Sequence, residues 1–298
     1  MTLINPRTPL IAPSPNLRIK LEHLNPSGSH KSRAARRIVE RAISMGDLLP
    51  GGTRRILEKS GGNFGVGLAY EAAKYDVGVD LVIGLSFSQL KRDLCEEYGA
   101  RLVGLDLLRQ ELQPREVIAK LLEEQSEAYF FTDQFANPAN LEAHLLETGP
   151  EIVAQIGNDI VDCSGITLVL SAGTGAHAAA LNTVLRREFS NIELVLVQPE
   201  NCSFQTGEFG DHAQQGAAVG VVPPFLNLAD VTRTVTVLDA EALQGQRLLA
   251  KHTGIYPGPT SGANYFLALR FAEASPDRLV VTMTYDAGEG YLAQKISA

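Results

Sequence analysis

A chain of 298 residues suits two domains of about 150 residues or one large domain, and it excludes a peptide or a small stapled scaffold. With 26 Lys and Arg against 34 Asp and Glu, the net charge is −8 with His neutral, which leaves no basic surplus to hold a phosphate backbone and argues against nucleic acid as a partner. Apolar residues make up 45% of the chain and charged residues 20%, the balance of a globular protein with a sizeable core rather than of a disordered chain.

The first stretch, Met1–Pro15, carries Pro and Asn where a secretory leader has a charged start and an apolar run, so a cytoplasmic protein is expected. Apolar runs such as Ile166–Leu170 and Leu194–Val197 fall far short of the roughly 20 residues that cross a bilayer, so no membrane partner is expected either. Beyond this stretch, short apolar runs alternate with longer amphipathic ones, the pattern of strand and helix units on parallel sheets. The expected fold class is α/β.

Strands are expected at Arg54–Leu57, Asp80–Ile83 and Arg101–Leu105, each followed by a helix, at Gly65–Lys74, Ser88–Tyr98 and Pro114–Glu124. Thr132–Asn140 is a run of turn formers, a candidate linker or site loop. A second block then brings a helix near Thr148–Gln155, a strand Thr167–Leu170, a helix Ala176–Phe189, a strand Glu193–Gln198 and a helix Glu241–Thr253. Asn201–Phe225, rich in Gly, Gln and Pro, is a long connection of the kind that is usually functional. Cys95, Cys163 and Cys202 are widely spaced and form no CxxC pair, which reads as structural thiols and not as a metal site.

Four segments carry chemistry. In Asn25-Pro-Ser-Gly-Ser-His-Lys31 a strand breaks and enters a helix with a lysine at its start, where the helix dipole and burial push an ammonium toward a neutral, nucleophilic amine suited to a Schiff base. Taken alone, a solvated lysine is the simpler account. Lys59-Ser60-Gly61-Gly62-Asn63-Phe64-Gly65 and Ser171-Ala172-Gly173-Thr174-Gly175-Ala176-His177 are both glycine-rich strand-to-helix turns whose backbone N–H groups can converge on an anion, or simply make a tight turn. The second lacks the third glycine of a dinucleotide fingerprint. Thr260-Ser-Gly-Ala-Asn264 places two hydroxyls at another helix entrance, where Ser and Thr also serve as caps.

Taken in this order, with Thr8-Pro-Leu10, Ser88-Gln-Leu-Lys91-Arg92, Gln134-Phe-Ala-Asn-Pro-Ala-Asn140, His144, Thr148-Gly-Pro-Glu151 and Asp286-Ala-Gly-Glu-Gly-Tyr291, these segments resemble the fold type II pyridoxal-phosphate enzymes, in the cysteine synthase and cystathionine β-synthase branch. The resemblance covers almost the whole chain. It implies two α/β domains, each with a mostly parallel sheet flanked by helices: a smaller, mobile one over 35–145 with the substrate-carboxylate loop, and a larger one over 1–34 plus 146–298 that binds the cofactor. It implies pyridoxal 5'-phosphate joined to Lys31, which also moves the Cα proton. Asn63 would bond the ring hydroxyl, Gly173, Thr174, Gly175, Ala176 and His177 would wrap the phosphate, and Thr260 would face the ring nitrogen. Ser60, Gly61, Asn63, Phe64 and Gln134 would hold the substrate carboxylate. No metal is implied, and a homodimer is.

A neutral hydroxyl at the ring nitrogen spreads the carbanion less far into the ring than a carboxylate partner does, which favours loss of the β-substituent. The implied reaction is β-replacement on an activated serine, of the O-acetylserine or O-phosphoserine type, through an aminoacrylate, with sulfide or another small nucleophile. The alternative is elimination, as in serine or threonine ammonia-lyases, to a keto acid and ammonia, which the Phe64 ring would favour by narrowing the nucleophile's entry. A third reading is a binding protein without turnover. The chain departs from the family pattern at Gly61 and Phe64, where cysteine synthases carry Ser and Thr, at Ser32 in place of Asp, at His30, which resembles the tryptophan synthase β-chain, and at His177 in place of Thr.

Overall fold

The computed structural model describes residues 7–84, 88–157 and 163–292. Strands β1 (Leu10–Ser14) and β2 (Leu17–Leu21) form an antiparallel hairpin. The chain then runs through α1 (Lys31–Met45), β3 (Arg55–Glu58), α2 (Asn63–Ala73), β4 (Val79–Leu81), α3 (Gln89–Glu97), β5 (Arg101–Leu102), α4 (Leu105–Arg109), α5 (Pro114–Gln125), β6 (Tyr129–Phe131) and α6 (Pro138–Ala143). A π-helical turn over His144–Thr148 leads into α7 (Gly149–Ile156), followed by β7 (Ile166–Ser171), α8 (Ala176–Glu188), β8 (Ile192–Pro199), β9 (Arg233–Val237), α9 (Asp239–Thr253), α10 (Pro259–Ala274) and β10 (Leu279–Thr284).

These elements divide into two compact units, Pro26–Asn140 and a discontinuous one made of Met1–Asn25 with Leu141–Ala298. In the smaller unit the sheet order is β5-β4-β3-β6, all parallel. Its strands are apolar on both faces because helices cover both: Ile56, Val79 and Leu81 meet α1, α2 and α3, while Leu57, Val82 and Tyr129 meet α4 and α5. One fully buried carboxylate ties the four strands together. Asp80 accepts hydrogen bonds from Arg55 and Arg101 at 2.8 Å and from the Tyr129 hydroxyl at 3.0 Å. Burial alone raises its pKa, but the Arg101 and Arg55 bonds outweigh it and hold the carboxyl below its ordinary value.

The division falls before α1, not within it. A boundary after residue 34 cuts that helix one turn from its start, whereas Ala34, Ala35, Ile38 and Val39 are buried with Phe64, Leu68 and Ala72 of α2 in one cluster. Lys31 therefore travels with the smaller unit.

The larger unit has a six-stranded sheet in the order β1-β2-β10-β7-β8-β9, parallel except for the hairpin edge. The strand period of two separates its cores cleanly. Leu168, Leu170, Leu194, Leu196, Val281 and Met283 face α7 and α8, while Val169, Val195, Val197 and Val280 face α9 and α10. Burying each such side chain contributes roughly 1.5–3 kcal/mol. The expected helix and strand units hold to within a few residues. β1, α4 and α6 were not anticipated, and neither were β9, whose Arg-Thr-Val-Thr-Val is half polar, and β10. Cys95 is buried and its thiol is pushed up to about 12, as befits a structural residue.

Candidate active site

The smaller unit contributes the head of α1 and the turn between β3 and α2. Proline at 26 and glycine at 28, the latter at φ +78°, turn the chain out of its extended course and into α1. Ser32 is fully buried, and its hydroxyl meets both the Ser27 hydroxyl and, at 3.2 Å, the Ser27 amide, so a neutral side chain closes the turn where the family pattern has an acid. The first turn of α1 holds no acidic residue. Nothing there stabilises an ammonium, and burial lowers the Lys31 pKa from 10.5 to about 8. The Ser29 hydroxyl, two residues earlier, is buried and has no hydrogen-bond partner among the described residues.

Gly67 brings the second segment to Lys31. A Cβ at Gly67 would stand 3.2 Å from the Ala35 Cβ and 3.4 Å from the Lys31 carbonyl oxygen, so a larger residue would press α2 a few tenths of an ångström off the first turn of α1. Asn63 opens α2 one turn before Gly67, next to the lysine turn. Ahead of it, the Ser60 hydroxyl accepts the Gly65 N–H at 3.1 Å, and Gly62, extended at φ −109°, accepts the Val66 N–H at 3.3 Å. A Cβ at Gly62 would meet nothing within 4 Å, so this turn opens onto space.

Phe64 corrects one expectation. Its ring is 2% exposed and lies in the smaller unit's core, so only its backbone N–H is available to a ligand, and the ring cannot narrow an entrance. The sequence did carry the signal, since Phe64, Leu68 and Ala72 repeat every four residues along one helix face.

Gln134 follows β6, beside Asp133 at φ +41°. It is tied to the β3–α2 turn by Glu58, which sequence reasoning missed. Glu58 is 3% exposed and accepts the Lys59 N–H at 2.8 Å, the Thr132 hydroxyl at 2.5 Å and the Gln134 N–H at 3.3 Å. Burial raises its pKa despite those three hydrogen bonds. An acid at the end of the strand, straight after the apolar pair Ile56-Leu57 and next to the glycine-rich turn, was the available clue.

In the larger unit, β7 ends at Ser171 and the turn Ala172–Gly175 enters α8. Gly175 sits at φ +82°, and a Cβ there would come within 2.8 Å of the Leu226 Cβ and 2.9 Å of the Pro223 Cβ. A Cβ at Gly173 would strike the Gly216 carbonyl oxygen. The N–H groups of Ala176, His177 and Ala178 have no carbonyl four residues back within the helix, although Ala176 meets the Thr174 hydroxyl at 3.4 Å, and they carry the positive end of its dipole, so the turn has the shape to cradle an anion. The long connection backs it: Ala218 N–H bonds the Ala172 carbonyl at 2.9 Å and Phe225 N–H bonds the Thr174 carbonyl at 3.2 Å. The same connection reaches Thr260, in the first turn of α10, whose hydroxyl donates to the Gln215 carbonyl at 3.0 Å. The His177 imidazole is 4% exposed, stacked edge-on against Tyr285 at 5.2 Å and against His144 at 6.0 Å, so His177 offers the cradle its backbone rather than its ring.

Comparison with known proteins gives the family and the fold. The family described as pyridoxal-phosphate dependent enzyme matches residues 1–285. A cysteine synthase of Staphylococcus aureus is 35% identical over 280 residues, 92% of this chain and 87% of that protein. Among solved structures, O-ureido-L-serine synthase superposes with a TM-score of 0.85 at 30% identity, covering 96% of this chain and 91% of that one. The O-acetylserine dependent cystathionine β-synthase of Helicobacter pylori superposes with a TM-score of 0.82 at 28% identity, covering 98% of both chains. The chain belongs to the pyridoxal-phosphate dependent enzymes.

Proposed function

We propose that this enzyme carries out β-replacement on an activated serine of the O-acetylserine or O-phosphoserine type, with sulfide or another small nucleophile. The observation that carries the reading is the neutral Thr260 hydroxyl at the entrance of α10, in a chain 35% identical over 92% of its length to a cysteine synthase. The residues fit the cofactor: Gly173 and Gly175 stand where a Cβ would collide with the connection behind the turn, the N–H groups at the start of α8 suit a phosphate, and the Lys31 amine has a lowered pKa.

Lys31 is the residue to join the cofactor's aldehyde carbon. Asn63 is positioned to bond its ring hydroxyl, the backbone of Gly173, Thr174, Gly175, Ala176 and His177 to hold its phosphate, and Thr260 to meet its ring nitrogen. When bound, pyridoxal phosphate supplies the electron sink for a substrate carbanion. The Lys31 amine takes the proton from the substrate Cα and returns one at the end of turnover. The turn from Ser60 through Gly61 and Asn63 to the Phe64 amide, with Gln134, orients the substrate carboxylate, largely through backbone N–H groups because Gly61 and Phe64 bring no hydroxyl. A neutral Thr260 leaves the ring nitrogen without a carboxylate counter-charge, which directs the chemistry to departure of the β-substituent.

Elimination to a keto acid is the competing outcome, and the burial of the Phe64 ring removes the feature that favoured it. Incubation with O-acetylserine, with and without sulfide, tests the reading: cysteine formed faster than pyruvate supports it, and pyruvate alone in both arms overturns it. No helix among the described residues is long and apolar enough to cross a membrane. A homodimer working in the cytoplasm is part of the same proposal, and light scattering of the purified chain checks its stoichiometry.

A further inference from the structure

Tyr285, the residue after β10, is buried and touches both rims of the proposed cofactor site in the larger unit. Its backbone N–H donates to the Ser261 hydroxyl at 2.8 Å, next to Thr260. Its phenol oxygen receives the Ser171 N–H at 2.9 Å, at the start of the cradle turn, and the Asn264 amide at 3.0 Å, one helical turn beyond Thr260. The same oxygen lies 3.1 Å from the His177 Nε2, on the second residue of α8, and 3.2 Å from the Ser171 carbonyl oxygen.

Counting donors orders this cluster. A phenol has one proton and two lone pairs. Ser171 N–H and the Asn264 amide fill the lone pairs, so the proton points outward, to the His177 Nε2 or the Ser171 carbonyl. The His177 Nε2 faces the same oxygen at 3.1 Å, and the donor and acceptor roles of that pair follow from the tautomer of the ring. Burial raises the Tyr285 pKa far above that of an ordinary phenol, so it stays a donor across the working pH range.

We propose, resting on the cofactor assignment above, that Tyr285 is a positioning residue that fixes the spacing between the phosphate cradle and the Thr260 hydroxyl, so that both ends of pyridoxal phosphate are gripped together. Its phenol holds the cradle side through Ser171 and His177, and its amide and Asn264 hold the α10 side. No contact of Tyr285 with the substrate is needed.

The test compares the wild-type holoenzyme with Tyr285→Phe and with Tyr265→Phe. Tyr265 is the matched control: it is a buried tyrosine of the same unit whose hydroxyl bonds the His252 Nδ1 at 2.8 Å. Removing a buried hydrogen-bonding hydroxyl at Tyr285 should raise the pyridoxal-phosphate dissociation constant about tenfold or more. It should also shift the phosphorus NMR resonance of the bound cofactor and the nitrogen NMR signal of the His177 Nε2. Tyr265→Phe should leave all three unchanged even if it melts earlier. Wild-type affinity and an unmoved phosphorus resonance in Tyr285→Phe would overturn the inference, as would equal changes in both variants. If Tyr285→Phe does not fold, His177→Gln and His177→Leu read the same link: Gln keeps an acceptor and should stay within about threefold of wild type, while Leu should not. Equal losses in that pair also overturn the inference. A wild-type chain that binds no pyridoxal phosphate overturns the cofactor assignment and this inference together, whereas a wild type that binds it as well as Tyr285→Phe overturns the inference alone.

Discussion

The chain makes a glycine-rich strand-to-helix turn twice, and the two are built differently. The Ala172–Gly175 turn is walled in: a side chain at Gly173 or Gly175 would collide with the connection behind it, and Gly175 occupies the left-handed region. The Lys59–Gly62 turn closes on its own Ser60 hydroxyl, and Gly62 faces open space. A shape fixed on all sides suits a resident anion that is never exchanged during turnover. A turn that is stitched locally and otherwise open suits an anion that enters and leaves each cycle.

Removing the amine that both turns are proposed to serve should have the largest effect. Lys31→Ala is expected to lower kcat by on the order of a thousandfold or more and to abolish the borohydride-trapped adduct seen by mass spectrometry. Next, Gly173→Ala should weaken cofactor binding by about tenfold or more, because the new methyl meets backbone, whereas Gly62→Ala should leave cofactor binding unchanged and move the amino-acid KM by about threefold at most. Equal effects at the two positions would erase the distinction between the turns.

The neutral head of α1 gives a pH prediction. The Lys31 pKa is lowered to about 8 in the fold from 10.5, so between those values the unfolded chain binds more protons than the folded one and the apoenzyme gains stability as pH rises. Capture of pyridoxal phosphate by the apoenzyme should speed up with pH and level off above about 8. Ser32→Asp, which restores an acid beside the amine, should move that inflection upward. The smallest effect is expected at Glu58→Gln, which removes the charge, keeps one acceptor oxygen and puts an NH2 donor in place of the other: KM should rise by a few-fold with kcat nearly intact, because the change disturbs the Lys59 and Gln134 amides and not the Lys31 amine.

Most of the architecture could be read from periodicity, because strands covered on both faces are continuous apolar runs and their helices have one apolar stripe. That Lys31, Gly173–Gly175 and Thr260 stand at helix starts was legible, because turn formers and the onset of an amphipathic period mark each of those places. Glu58 and Tyr285 were not, since their partners lie 76 and 114 residues away at the farthest, beyond the reach of any local pattern. The burial of the Phe64 ring is written in its four-residue spacing with Leu68, a helix-face signal that its place in the glycine-rich turn masks.

Strand β10 is made after both of its neighbours in the sheet, β2 and β7. The hairpin at the start of the chain must therefore wait through some 260 residues of synthesis before its neighbour emerges, whereas the 26–140 unit has every strand it needs much earlier. On the ribosome, the portion carrying the lysine can mature first. In the proposed reading, competence to retain vitamin B6 then waits for β10, when Tyr285 follows its strand into the sheet.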